Sequence, residues 1–234
     1  MKRLAVSGAS GKTGWRIVDE ALQRGIPVRA IIRPTSQLPP ALLQAEQAGN
    51  LEVHRLDLNS LESLLHALQG CTGLVIATGA RPSINLAGPL QVDAVGVQSQ
   101  VQACCSLGVR RVVLVSSLCA GRWFHPLNLF GLILVWKRVG ERWLEQSGLD
   151  WTIVRPGGLS EDDSRASGDG VLFSSADQQQ SQSIPRRLVA QVCGEAVEEA
   201  GGCGRFIEVA RAAEQPGHSL ADGLAHERWG RPKC

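Results

Sequence analysis

Short apolar runs alternate with stretches of helical periodicity along most of the chain. Arg3 to Ser7 is the first apolar run, and a helical stretch from Trp15 to Gln23 follows, closing at Arg24-Gly25 with glycine where a helix terminator belongs. The pairing then recurs. Pro27 opens the run Val28 to Ile32, and a helix from about Ala41 to Ala48 leads through Gly49-Asn50 to the run Leu51 to Leu56. Leu61, Leu64, Leu65 and Leu68 fall at helical spacing, Gly73 to Ala77 reads as the fourth strand, and one helix is expected from Leu90 to Leu107, stopped by Gly108. Arg111 to Val115 is continuously apolar, the mark of a parallel strand buried on both faces. After a helix around residues 132–144 come a strand from Trp151 to Val154, a helix starting near Pro185, and a last strand from Arg205 to Ala210. Strands separated by helices in this order predict an α/β fold with a doubly wound parallel sheet in a single domain.

That domain is expected over residues 1–212, with small loops at 159–184 on the substrate side, where Ser160 to Gly170 and the polar run Gln178 to Ser183 read as mobile. Residues 213–234 read as a frayed or loosely docked tail. The loop from Arg81 to Pro89 separates the fourth strand from its helix.

The net charge of +2 comes from scattered residues, so no nucleic-acid surface is expected. Seven cysteines without a C-x-x-C pair, and no signal peptide, point to a reduced, cytoplasmic setting. The vicinal Cys104-Cys105 pair reads as plain thiols more readily than as a redox pair. The most apolar stretch, Leu127 to Trp136, is too short to span a bilayer. The five histidines lack metal-ligand spacing, and no metal site is expected. Tyrosine is absent altogether, which excludes any mechanism built on a tyrosine acid.

Between the first strand and its helix lies Gly8-Ala9-Ser10-Gly11-Lys12-Thr13-Gly14. Glycine permits positive φ and close approach of a ligand to the backbone, while a helix start offers N–H groups and a positive dipole end. The expected ligand is a dinucleotide, with Gly8, Gly11 and Gly14 under its pyrophosphate and Ser10, Lys12 and Thr13 the other candidate binding residues of the turn. At the end of the second strand an acid would select NAD, but no acidic residue stands between Glu20 and Glu46, and Arg33 occupies the place. A guanidinium there favours the 2′-phosphate of NADP(H); the alternative is a solvated surface arginine. Asp57, with Leu58 beside it, is placed to meet the adenine amino group, or else to cap or turn into the next helix. Ala77, Thr78 and Gly79 would let the cofactor pass close to the backbone, and Ser116 and Ser117 reach the same sheet edge, where serine can bond a carbonyl or simply end a strand.

Three segments taken together, the glycine turn, Val135-Trp136-Lys137-Arg138 and Arg155-Pro156-Gly157-Gly158, resemble the atypical short-chain dehydrogenases/reductases. The resemblance is closest to the NAD(P)H-binding, NmrA-like branch that includes the cofactor-binding domain of the chloroplast import translocon's redox component. It implies that Lys137 bonds the nicotinamide ribose, that Pro156 and Gly157 lie by the nicotinamide, and that Ser117 stands for the family's catalytic serine. Ile133 holds the position of the family's tyrosine, four residues before Lys137. From the residues alone, Lys137 also suits an i,i+4 pair with Glu141 on a solvent face. The expected function is an NADPH-dependent oxidoreductase lacking the tyrosine acid. Its acceptor would be a small molecule, such as a flavin or quinone, that needs no positioned protein acid. The alternative is a non-catalytic NADP(H)-binding redox sensor or assembly factor with a protein partner.

Overall fold

The computed structural model describes residues 3–80, 87–122, 124–179, 183–213, 219–226 and 229. Part of the 81–89 loop, residues 180–182 of the polar run and most of the tail lie outside them.

The apolar runs form the strands β1 (Leu4–Ser7), β2 (Val28–Ile32), β3 (Leu51–Arg55), β4 (Gly73–Ile76), β5 (Arg111–Val115) and β6 (Asp150–Pro156). Further strands are β7 (Gly158–Ser160), β8 (Gly170–Ser174), β9 (Ser183–Pro185) and β10 (Arg205–Ala212). Eight of them make one sheet in the order β3-β2-β1-β4-β5-β6-β10-β8, parallel except for the antiparallel edge pair β10 and β8. Strands β7 and β9 pair separately. The helices are α1 (Gly14–Gln23), α2 (Pro40–Gln47), α3 (Leu61–Leu68), α4 (Gly96–Leu107), α5 (Ile133–Glu145), α6 (Arg186–Glu198) and α7 (Leu220–His226). The chain is a doubly wound Rossmann-type sheet.

Alternation along the strands builds a core on each face. Leu4, Val6, Val113 and Val154 pack under α1 and α6, while Ala5, Val112, Leu114 and Ile153 pack under α3, α4 and α5. Because both faces are covered, strands such as β2 are buried along their whole length, Arg29 included.

Three segments depart from the sequence expectation. The helix expected from Leu90 begins as a π-helical turn over Leu90–Val95, and α4 proper starts at Gly96. Packing explains the widened turn: a Cβ on Gly140 of α5 would lie 2.2 Å from the Asp93 carbonyl oxygen, so the two backbones touch there. Next, the acidic stretch after β7 is tied down, with Arg16 of α1 bonding Asp163 at 2.8–3.0 Å and Lys12 paired with Glu161. The tail, finally, contains α7, whose Leu220 is buried and whose Gly223 leaves room for the Phe173 ring of β8.

Candidate cofactor site

Strand order reverses between β1 and β4, since the chain runs from β1 outward to β3 and returns to β4 on the other side. In open α/β sheets the crevice beyond the carboxyl ends at such a point is where ligands bind. The glycine turn leaves β1 there, directly beside the residues that leave β4.

The fit is close enough to exclude side chains. Gly8 has φ +74°, and a Cβ on it would lie 2.7 Å from the Ala77 carbonyl oxygen. One on Gly14 would lie 2.1 Å from the Gly8 carbonyl oxygen, and one on Gly11 3.0 Å from the same atom. The Gly11 amide donates to that oxygen at 2.8 Å, closing the turn. Among the described residues the amides of Lys12 and Thr13 donate to no backbone carbonyl, and the first turn of α1 holds no acid. This is a cradle for an anion. Arg186, at the start of α6, donates to Thr13 Oγ1 at 2.8 Å and adds a cation that the sequence did not single out.

From this turn a cavity of ≈ 290 Å³ runs across the sheet edge. Gly11, Lys12 and Thr13 wall one end; Ala77, Thr78 and Gly79 form the middle; Ser116, Ser117, Lys137, Pro156 and Gly157 wall the other. Ala80, Val115, Leu159 and Arg186 complete the lining. The Thr78 hydroxyl is buried and meets no hydrogen-bond partner among the described residues. A side-chain-free cradle joined to an orphaned hydroxyl on one cleft fits a dinucleotide.

Six of the expected residues do not wall this cavity. Gly8 and Gly14 lie under the turn, and Ser10 is half-buried within it. Arg33 is exposed past the end of β2. Asp57 is exposed and makes the turn into α3, Oδ1 accepting from the Asn59 amide and from Asn59 Nδ2, each at 3.0 Å. Ser60, not Asp57, caps that helix. Leu58 packs against the core on the α3 side.

At the far end the expected surface pair of Lys137 with Glu141 does not form. Lys137 Nζ instead donates to Asp93 Oδ1 at 2.9 Å. Glu141 is 0% exposed. Its carboxylate accepts from Ser116 Oγ at 2.6 Å and from Arg155 Nε and Nη2 at 2.9 and 2.8 Å. Arg155, 3% exposed, also stands over the Phe206 ring at 4.4 Å. Burial works against its charge, but the bonds and charges of Glu141, Asp177 and Glu208 outweigh that and hold the guanidinium above its ordinary value. Glu208, also buried, accepts from the Asp177, Gln178 and Gln179 amides at 2.7–3.0 Å, so one network anchors α5, β6, β10 and the loop after β8 beneath the cleft. Of the two serines that wall the cleft, Ser116 commits its hydroxyl to this network. Ile133 is buried at the first turn of α5 and cannot exchange a proton. Trp143 of α5 is 42% exposed, whereas Leu134 and Glu141 are buried.

Burial pushes the Cys104 and Cys193 thiols up to about 12, which disfavours their thiolate forms. No helix among the described residues is long and apolar enough to cross a membrane.

The NAD(P)H-binding family model matches residues 8–200. The chain belongs to the NAD(P)H-binding family. An uncharacterized chloroplastic protein of Arabidopsis thaliana is 35% identical over 96% of this chain and 82% of its own length. Protein TIC 62 of the same plant is 34% identical over 66% of this chain and 27% of its own length, in agreement with the resemblance to the translocon component. Sanguinarine reductase of Eschscholzia californica is 29% identical over 84% of this chain and 85% of its own. Among solved structures, a putative NAD-dependent epimerase/dehydratase from Bacillus halodurans is 27% identical, covers 92% of this chain and 96% of its own, and superposes with a TM-score of 0.78. The chain is thus an NAD(P)H-binding protein of oxidoreductase-like kinship.

Proposed function

We propose that the protein is an NADPH-dependent reductase that delivers hydride to a small-molecule acceptor without a positioned protein acid. The observation that carries this is the cleft itself, which is continuous from the side-chain-free glycine cradle to Lys137 and Ser117. When bound, the nicotinamide supplies a hydride at C4. The chain's own work is to hold and orient. Gly8, Gly11 and Gly14 admit the pyrophosphate, Lys12 and the free amides neutralise it, and Arg186 supports Thr13 beside it. Lys137 bonds the nicotinamide ribose, Pro156 and Gly157 flank the ring, and Ser117 touches the acceptor. Arg33 selects the 2′-phosphate, supported by the absence of acid from Arg24 to Ala45.

With Ile133 in the tyrosine position, the proton needed after hydride transfer comes from water or from the acceptor. That chemistry suits quinones and flavins better than simple carbonyls. Kinship with a protein named sanguinarine reductase supports a small-molecule acceptor. The seven cysteines without C-x-x-C spacing support a cytoplasmic setting, which a count of seven free thiols in freshly lysed cells would test.

NADPH oxidation against a panel of quinones, flavins and carbonyls tests the reaction, with turnover expected for the first two classes. The buried Ile133 favours one second reading, a non-catalytic NADP(H) sensor, and oxidation with no acceptor in the panel would establish that reading instead. Arg33→Ala is expected to weaken NADPH binding about tenfold, the scale of one hydrogen bond to a charged group, and to leave NADH unchanged. Equal affinity for the two nucleotides in the unaltered protein would remove the preference for NADPH.

A further inference from the structure

Asp93 stands in the π-helical turn and is buried, its side chain 2% exposed. It meets two partners far away in sequence. Oδ1 accepts from Lys137 Nζ at 2.9 Å, and Oδ2 accepts from the Ala80 amide at 3.2 Å. Two charges taken out of water lose several kcal/mol of hydration each, so a pair like this is a poor device for stability alone. The backbone is shaped around it as well. Gly140 has no Cβ where one would strike the Asp93 carbonyl, and a Cβ on Gly79 would lie 3.5 Å from Lys137 Nζ and 3.8 Å from Asp93 Oδ1. The turn after β4, the π-helical turn and α5 therefore converge on one carboxylate directly behind Lys137, which walls the cleft.

We propose that Asp93 is a positioning residue that aims the Lys137 ammonium at the nicotinamide ribose and locks the Thr78–Ala80 turn beside it. The proposal rests on the placement of Lys137 given above. An ammonium has three N–H donors on a flexible stem. One donor fixed by Asp93 leaves two, the number that two ribose hydroxyls accept. The carboxylate also matches the lysine's charge, so this end of the cleft takes a neutral diol in preference to a phosphate or a carboxylate.

The test is fluorescence titration of NADPH and of adenosine 2′,5′-bisphosphate, which lacks the nicotinamide ribose, into the unaltered protein and its variants Asp93→Asn, Lys137→Met and the double variant. Asparagine keeps an oxygen for the Ala80 amide and loses the charge that holds the lysine. Asp93→Asn is expected to weaken NADPH about tenfold, the scale of a hydrogen bond to a charged group, and to leave the bisphosphate unchanged. Because it acts through the lysine, it adds no further loss in the Lys137→Met background. Equal losses on both ligands, independent losses that multiply, or no loss in Asp93→Asn would each overturn the proposal. NADPH affinity unchanged in Lys137→Met is a different result and would remove the ribose contact itself. Thermal melting gives a second arm should Asp93→Asn fold poorly. Lys137→Met strands the buried carboxylate and lowers Tm, and the double variant recovers part of that loss; a double variant melting below Lys137→Met would overturn the pairing.

Discussion

The two ends of the cleft are made of different material. At the glycine-turn end the work is done by backbone against backbone, with Gly8 and Gly14 placed so tightly that a single methyl group would strike a carbonyl oxygen. At the Lys137 end it is done by charged side chains that meet across the fold, Lys137 with Asp93 and Glu141 with Arg155 and Ser116. A backbone cradle tolerates no added volume but is indifferent to charge. An ionic scaffold has the opposite weakness, because removing one partner leaves the other buried and unmatched.

Each prediction presses on that contrast, beginning with the largest effect. Arg155→Met leaves Glu208 buried without its cation and Glu141 with Arg138 alone, 3.2 Å away, and urea unfolding is expected to show a loss of about 3–5 kcal/mol. A loss below about 1 kcal/mol, the scale of a surface pair, would show that the scaffold carries no such burden. Gly14→Ala adds one methyl at the other end and is expected to lower stability by about 1–3 kcal/mol through overpacking and, by displacing the turn, to weaken NADPH sharply. Gly168→Ala is its control, since a Cβ there meets nothing within 4 Å. Matching affinities for the two variants would mean that the cradle is not the binding element. Ser117→Ala removes one neutral hydrogen bond to the acceptor, so kcat/KM is expected to fall about fivefold to tenfold while the Kd for NADPH stays fixed; a shift in Kd alone would move Ser117 from the acceptor to the cofactor.

The smallest effect concerns Glu161, whose carboxyl the Lys12 ammonium holds below its ordinary value. The pair is complete above the usual glutamate range and is lost as pH falls through the lowered value. Glu161→Gln frees Lys12 for phosphate and is expected to tighten NADPH by less than about threefold at neutral pH, exposed pairs being weak. The gap to the unaltered protein closes at acidic pH. A gap that widens on acidification would exclude Glu161 as the competitor.

The same contrast explains what could be read from the chain alone. The glycine cradle is local: strand, turn and helix are consecutive, so spacing revealed it, and the alternation of apolar runs with helical stretches gave the sheet and its two layers. Contacts across the fold leave no such period. Glu141 sits four residues from Lys137 and looks like its surface partner, yet it faces the core because Arg155 arrives there from β6. Asp93 looks like an ordinary helical residue until Gly140 opens the space that widens its turn. Arg186 joins the site only because α6 begins opposite Thr13, and the one local sign was the Pro185-Arg186 opening of that helix. Strand β8, short and at the sheet edge, has no pattern to separate it from the loops around it. Asp57 was readable both as a cofactor ligand and as a turn former, and its bonds to Asn59 show the turn.

Calorimetric titration of NADPH into the unaltered protein and into Gly14→Ala tests the central claim most directly. One molecule bound per chain, with binding lost or sharply weakened in Gly14→Ala and the fold preserved by circular dichroism, is the result expected of a dinucleotide seated on the glycine cradle. No heat of binding in the unaltered protein, or equal binding by both, would contradict it.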